Sequence, residues 1–205
     1  MNGRLEAFCD GVFAFALTLL IVEIRPPEAS AISTAPAVWS ALRHLGPAVS
    51  AFLLSFLVIL ITWINHHNTL KLVHRNSAAL LYANGLLLLG VVGIPFTTSL
   101  LGAFVTTDAA APAVAVYDAL LAVQAAGWVA ITGVALRDQL AADQPAAAEL
   151  RVRRANGFGA FGLYAALAAM GLWLPRTVAI ITAATWLFWL VLSLRAPKRV
   201  DLAAA

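Results

Sequence analysis

The chain has 205 residues, of which 62% are hydrophobic and 11% charged, with a net charge of +3 and a mean hydropathy of +0.88. A soluble domain is nearer half apolar and a quarter charged, so too little charge remains to cover a water-facing surface, and an integral membrane protein is expected. Basic residues scattered between apolar stretches exclude a nucleic-acid binder, and the single cysteine, Cys9, excludes an intrachain disulfide without indicating a redox compartment.

The first apolar stretch, RLEAFCDGVFAFALTLLIVEI from Arg4 to Ile24, is long enough to cross a bilayer yet carries Asp10 about two turns in. It is too long for a signal-peptide core, and Glu23, Arg25 and two prolines follow it rather than a small-residue cleavage site. A retained helix is therefore expected. Five more stretches of suitable length follow, at about 47–69, 77–102, 113–136, 154–174 and 176–194. Turn and charge signals separate them: Arg25-Pro26-Pro27, Arg75-Asn76, Thr106-Thr107-Asp108, the run from Arg137 to Arg154, Pro175-Arg176 and Ala196-Pro197. Long apolar runs without period-two alternation mean helices rather than a barrel. The expectation is one domain over residues 1–205, with six membrane-spanning helices, no internal repeat and a frayed tail from Leu202 to Ala205.

With six spans, one side of the membrane receives Arg4, Lys71, Arg75, Arg137, Arg151, Arg153, Arg154, Arg195, Lys198 and Arg199. The other receives Arg25, Arg43 and Arg176. Such a bias places both termini in the cytoplasm. The connection holding Arg151, Arg153 and Arg154 is a candidate for touching anionic lipid head groups.

This topology brings several polar residues to one depth. Asp10 lies roughly 9 Å along the first span from Arg4. Trp63, Asn65, His66 and His67 of TWINHHN end the second span, and Asn84 falls two turns into the third. Asp10, Asn65, Asn84 and one of the two histidines are expected to form a polar cluster in the inner third of the membrane. An intramembrane carboxylate needs partners. Three readings stay open: a lock between the first three spans, a titrating group that gates or conducts protons, and a metal or hydrolytic site. Against the last, adjacent histidines point about 100° apart and do not readily share one metal. No HExxH, phosphate-cradling loop or nucleophile elbow is present either. No catalytic residue, metal ligand or tightly bound cofactor is indicated. Asp118, early in the fourth span, reads as a solvated end residue.

Gly11, Phe15, Thr18 and Val22 recur at helical spacing on the first span, with Leu19 beside them. Asp10 projects about 140° from Phe15, so one face is free of charge while another carries the acid. A stripe of this kind is more often packing than a permeation path, and spacing alone does not decide between them.

Arg4-x-x-x-Phe8-Cys9-Asp10, then Gly11-Val12-Phe13-Ala14 and Thr18-Leu19-Leu20, resembles the R-x-x-x-F-S-D signature of prokaryotic relatives of the lysosomal potassium channel, transmembrane protein 175. The resemblance extends to Trp63, Asn65, His66 and His67, to Asn84, and to Pro95, which would close the third span; it covers nearly the whole chain. It implies a potassium-permeable cation channel in a prokaryotic plasma membrane. Each chain would contribute one six-helix repeat to a homotetramer, its first helices lining a central pore without a TVGYG filter. Phe15, Leu19 and Val22 would form an apolar constriction, and Thr18 would influence cation preference. Arg4, Phe8, Cys9, Asp10, Trp63, Asn65, His66, His67 and Asn84 would brace the first helix and influence gating. Two departures stand out: Cys9 replaces the signature serine, and Phe15 stands where isoleucine or leucine is usual.

The pore would open when a ring of apolar side chains widens enough to wet. The rivals are a proton-permeable channel, a secondary transporter using Asp10, His66 and His67, and a membrane enzyme built on Asp10 and a histidine. A transporter would need a broken helix, for which Gly90, Gly93 and Pro95 are candidates.

Overall fold

The computed structural model describes residues 3–27 and 34–195, with side chains through Val191. The described residues form seven helices: α1 (Gly3–Val22), α2 (Ala35–His44), α3 (Gly46–Leu70), α4 (Ala78–Phe104), α5 (Ala110–Arg137), α6 (Gln144–Met170) and α7 (Pro175–Arg195). Four of these, α1, α3, α4 and α5, are long and apolar enough to cross a membrane, and α7 is apolar over the shorter stretch Pro175–Val191. The expected tail Leu202–Ala205, with Lys198 and Arg199, lies outside the described residues.

Six of the seven helices fall on the six apolar stretches; α2 is additional. Proline in its first turn starts it, and none of its described residues is buried. Leu45, still in a helical conformation, joins it directly to α3, which again opens with a proline in its first turn. The second difference is at α6, which begins ten residues before the expected 154. Asp143 caps it by accepting from the Ala146 N–H at 2.7 Å. Arg153 then donates to Glu149 at 2.6 Å, one turn earlier. Capping and a charged pair hold a helix there that an apolar-run criterion does not register. The third difference is at Pro95, which does not close its helix. α4 continues through it to Phe104, with Pro95 buried against neighbouring helices. Neither Gly90 nor Gly93 breaks α4.

Both glycines and Gly127 bring α4 and α5 together instead. A Cβ on Gly127 would lie 2.6 Å from the Leu87 Cα, and one on Gly90 would lie 2.9 Å from the Gln124 Cβ. Small residues let membrane helices approach where no hydrophobic force between them is available. The main core joins α1, α3, α4 and α5 through Phe13, Leu20, Ile59, Val91 and Leu121, and extends to α7 at Val178 and Trp186.

A second core lies at the end of the bundle where α3 stops and α6 starts, built on Leu80, Leu87, Ile131 and Leu150. Here the α3–α4 and α5–α6 connections are clasped. Val73 and Ala141 form an antiparallel bridge, the His74 N–H donates to Leu140 O at 3.0 Å, and the Ala142 N–H donates to Leu72 O at 2.9 Å. Gln139, in the left-handed region with φ 53°, turns the chain out of α5.

Candidate functional site: the two faces of α1

α1 is divided lengthwise. Cys9, Phe13, Ala16 and Leu20, spaced four, three and four, are buried against α3 and α4. Opposite, Arg4, Phe8, Gly11, Phe15, Thr18 and Val22 are uncovered by the chain's own helices; Phe15 is 65% and Val22 69% exposed. A Cβ on Gly11 would meet nothing within 4 Å. Leu19 is half-buried at the border between the two faces. The Thr18 hydroxyl donates to Phe15 O at 2.8 Å, so its proton is engaged by backbone and its lone pairs remain available.

The buried face carries a polar cluster, and the α1 residue that joins it is Cys9 and not Asp10. The Asn84 amide donates to Cys9 Sγ at 3.2 Å, and His66 Nε2 donates to Asn84 Oδ1 at 2.7 Å. This line of bonds joins α1, α4 and α3. The His66 ring is packed between Phe13 (centroids 5.4 Å) and Trp128 of α5 (6.3 Å). Four helices therefore meet at one imidazole.

Asp10, one position on, is rotated by a helical step out of that core and is exposed. Its partner is Trp63, whose indole Nε1 donates to Oδ1 at 2.8 Å. Trp63 stacks in turn on half-buried His67 (6.5 Å, 26°). Asn65 is half-buried, and its carbonyl accepts from Thr69 at 2.8 Å. The expected single cluster is thus two: an enclosed Cys9–Asn84–His66 line and an outer Asp10–Trp63–His67 line. A thiol goes inside at little desolvation cost, whereas a carboxylate there would be left in a poor solvent. Among the described residues no three metal-ligating side chains converge.

Asp118 is not the solvated end residue its place early in the fourth span suggests: it is 1% exposed, and Thr182 of α7 donates to its Oδ1 at 2.8 Å. Two further polar links lie deep in the bundle. Thr98 donates to Ser55, which lies 3.0 Å from the Tyr117 hydroxyl, and Gln124 donates to Thr62 at 2.5 Å. Tyr117, Leu121 and Gln124 fall on one face of α5 at spacings of four and three. Polar groups on such a face of an apolar helix were the available signal.

Just past the end of α5, at the clasp, Asp138 accepts from Arg137 at 2.8 Å, and this guanidinium holds the Asp138 carboxyl below its ordinary value. Ser77 also donates to Asp138, at 3.2 Å.

These features define a helical membrane protein whose first helix is embedded on one side only, the usual condition of an element that meets something outside its own chain. The family model described as endosomal/lysosomal potassium channel TMEM175 matches residues 4–95. A potassium channel of Streptomyces collinus is 38% identical over 172 residues, 82% of both chains. A potassium channel of Chamaesiphon minutus is 47% identical over 116 residues, an alignment spanning 57% of both chains. The human endosomal/lysosomal proton channel TMEM175 is 32% identical over 106 residues, 21% of its own length. In three dimensions, the crystal structure of the lysosomal potassium-selective channel TMEM175 homolog from Chamaesiphon minutus superimposes with a TM-score of 0.81 at 32% identity, covering 94% of this chain and 97% of that one. The chain belongs to the TMEM175 family, whose members are membrane ion channels and not enzymes.

Proposed function

We propose that the chain is a potassium-permeable cation channel whose pore is walled by the uncovered face of α1 from four identical copies. The observation that carries this is the division of α1: Phe15, Thr18 and Val22 find no cover in their own chain while the opposite face is fully packed. In a bilayer such a stripe faces lipid, a second copy or a lumen, and the polar Arg4 and Thr18 on it favour a lumen, which cyclic symmetry supplies. The relatives named potassium channels support potassium as the permeant ion.

In this reading α1, α3, α4, α5, α6 and α7 are the six spans, with both termini on the cytoplasmic side of a prokaryotic plasma membrane. Phe15, Leu19 and Val22 form stacked apolar rings that shed water when narrow and conduct when α1 moves outward. Thr18, its proton already tied to Phe15 O, offers a ring of oxygen lone pairs between them. Arg4, Phe8, Cys9, Asp10, Trp63, Asn65, His66, His67 and Asn84 hold α1 at its inner end, so that displacing it costs those bonds. No cofactor takes part; lipids surround the assembly.

A second reading, proton permeation, is favoured by the human relative named a proton channel and by the enclosed His66–Asn84–Cys9 line behind the pore wall. One experiment separates the two: protein in liposomes carrying, in separate arms, a potassium gradient or a proton gradient, with flux read by a potential-sensitive dye and by an internal pH dye. Potassium-driven potential without a protonophore supports the first reading. A potential and pH change driven by the proton gradient, with none driven by potassium, supports the second, and no flux from folded protein in either arm excludes both.

A further inference from the structure

We propose that the crevice between α5 and α6, at the end of the bundle where α5 stops, binds an anionic phospholipid, with the lipid phosphate on Arg154. A cavity of about 620 Å³ lies there, walled by Val129, Val134 and Leu136 and flanked by Arg137 and Arg154. Basic pockets between membrane helices recognise anionic head groups, but a scattered surface arginine does not make such a pocket. Three observations distinguish Arg154.

First, its guanidinium, on an otherwise exposed side chain, rests between two neighbours. Gly133 of α5 lacks a side chain opposite it; a Cβ there would lie 3.5 Å from Arg154 Nε and 3.6 Å from Cζ. The Phe158 ring, one turn along α6, sits 5.6 Å from Cζ on a cation–π contact. A planar fork so placed is suited to two phosphate oxygens. Second, its charge is uncompensated: Arg153 is spent on Glu149 and on Thr69 of α3, and Arg137 on Asp138, whereas Arg154 makes no ion pair among the described residues. Third, the crevice has no acidic side chain in its lining, and apart from its two arginines its walls are aliphatic. That combination suits a ligand with an anionic head and a hydrocarbon tail, and is poorly suited to a free phosphate, which would need polar groups around it.

The test uses full-length protein in detergent, with bound lipid counted by native mass spectrometry against phosphatidylglycerol, phosphatidylcholine of the same chains, and glycerol phosphate. The expected result is preferential retention of phosphatidylglycerol, no competition from glycerol phosphate, and a loss of about fivefold in retention for Arg154→Gln, the weight of one basic side chain at an anionic surface. Arg151→Gln, an exposed arginine outside the crevice, is expected to leave retention unchanged. Gly133→Leu, which displaces the guanidinium while keeping the charge, should reproduce the loss and serves if Arg154→Gln does not fold. Equal retention of both lipids, equal loss from Arg151→Gln and Arg154→Gln, or displacement by glycerol phosphate would each overturn the proposal.

Discussion

Trp63 Nε1 donates to Asp10 Oδ1 at 2.8 Å and so joins α3 to the exposed side of α1, across 53 positions of sequence. A hydrogen bond to a charged group is stronger than a neutral one, but both partners here lie near the surface of the chain. Its net worth is therefore about 1 kcal/mol. Trp63→Phe keeps a ring to stack on His67 and deletes only the donor. We expect a melting temperature slightly lowered in detergent and a higher resting conductance, since α1 is freer to move. If melting and conductance both match wild type, the bond does not brace α1.

Phe13 and Phe15 are two residues apart and should behave oppositely. Phe13 is 1% exposed and packs on His66. Phe13→Ala opens a core cavity and is expected to cost about 3–5 kcal/mol. Phe15→Ala removes a ring that its own chain does not cover, so the fold should survive while the proposed constriction widens. Larger potassium flux with near-native unfolding is the expected result; unchanged flux would move the constriction elsewhere on α1.

Asn84 accepts from His66 and donates to Cys9, so no apolar residue can replace it without orphaning a buried group. Asn84→Leu should destabilise by about 1–3 kcal/mol. Cys9→Ser exchanges a weak sulfur acceptor for an oxygen and should shift stability by less than about 1 kcal/mol. The thiol is fully buried. Maleimide should therefore label folded protein far more slowly than unfolded protein; rapid labelling of the folded form would place Cys9 on the wrong face.

Thr182 donates to Asp118 Oδ1, while Oδ2 has no partner among the described residues. Thr182→Val strips the carboxyl of its Oδ1 donor and is expected to cost about 1–3 kcal/mol. Adding Asp118→Leu should recover part of that loss, because an apolar pair replaces an unpaired polar group. A double-mutant cycle on unfolding free energy checks it, and strict additivity of the two changes would mean that the residues do not interact.

Asp138 is held below its ordinary value, near 4, first by the hydrogen bonds from Arg137. A depressed carboxyl contributes stability that is present above its unfolded value and is lost as pH falls through the lower folded value. The Ser77–Asp138 bond across the clasp should thus be retained through the neutral and mildly acidic range, and local opening of the clasp should rise only below about pH 4, and modestly, because the carboxyl is solvent-screened. Amide exchange at His74 and Ala142, whose N–H groups close the clasp, reads this directly. Arg137→Gln should move the opening to higher pH.

By itself, the sequence determined the class and the outline. Charge too sparse for a water-facing surface requires a membrane, and runs of some twenty apolar residues require helices, because a lipid-facing backbone must satisfy its own hydrogen bonds. The Arg4–Asp10 motif pointed to the family, and the Gly11, Phe15, Thr18, Val22 spacing already lay on one face. Its limits fell where stability comes from something other than apolar length. α2 and the first turns of α6 are started by proline and a cap, and α4 passes through Pro95 because its neighbours enclose it. Tertiary structure alone decided which polar residues meet. Helical rotation fixes the angle between Cys9 and Asp10, but only the placement of α3 and α4 decides which of the two points inward. That is why Cys9 joins Asn84 and His66, why Asp10 turns to Trp63, and why Asp118 is buried against Thr182. Burial is a property of neighbours, and neighbours are set by packing between segments far apart in the chain.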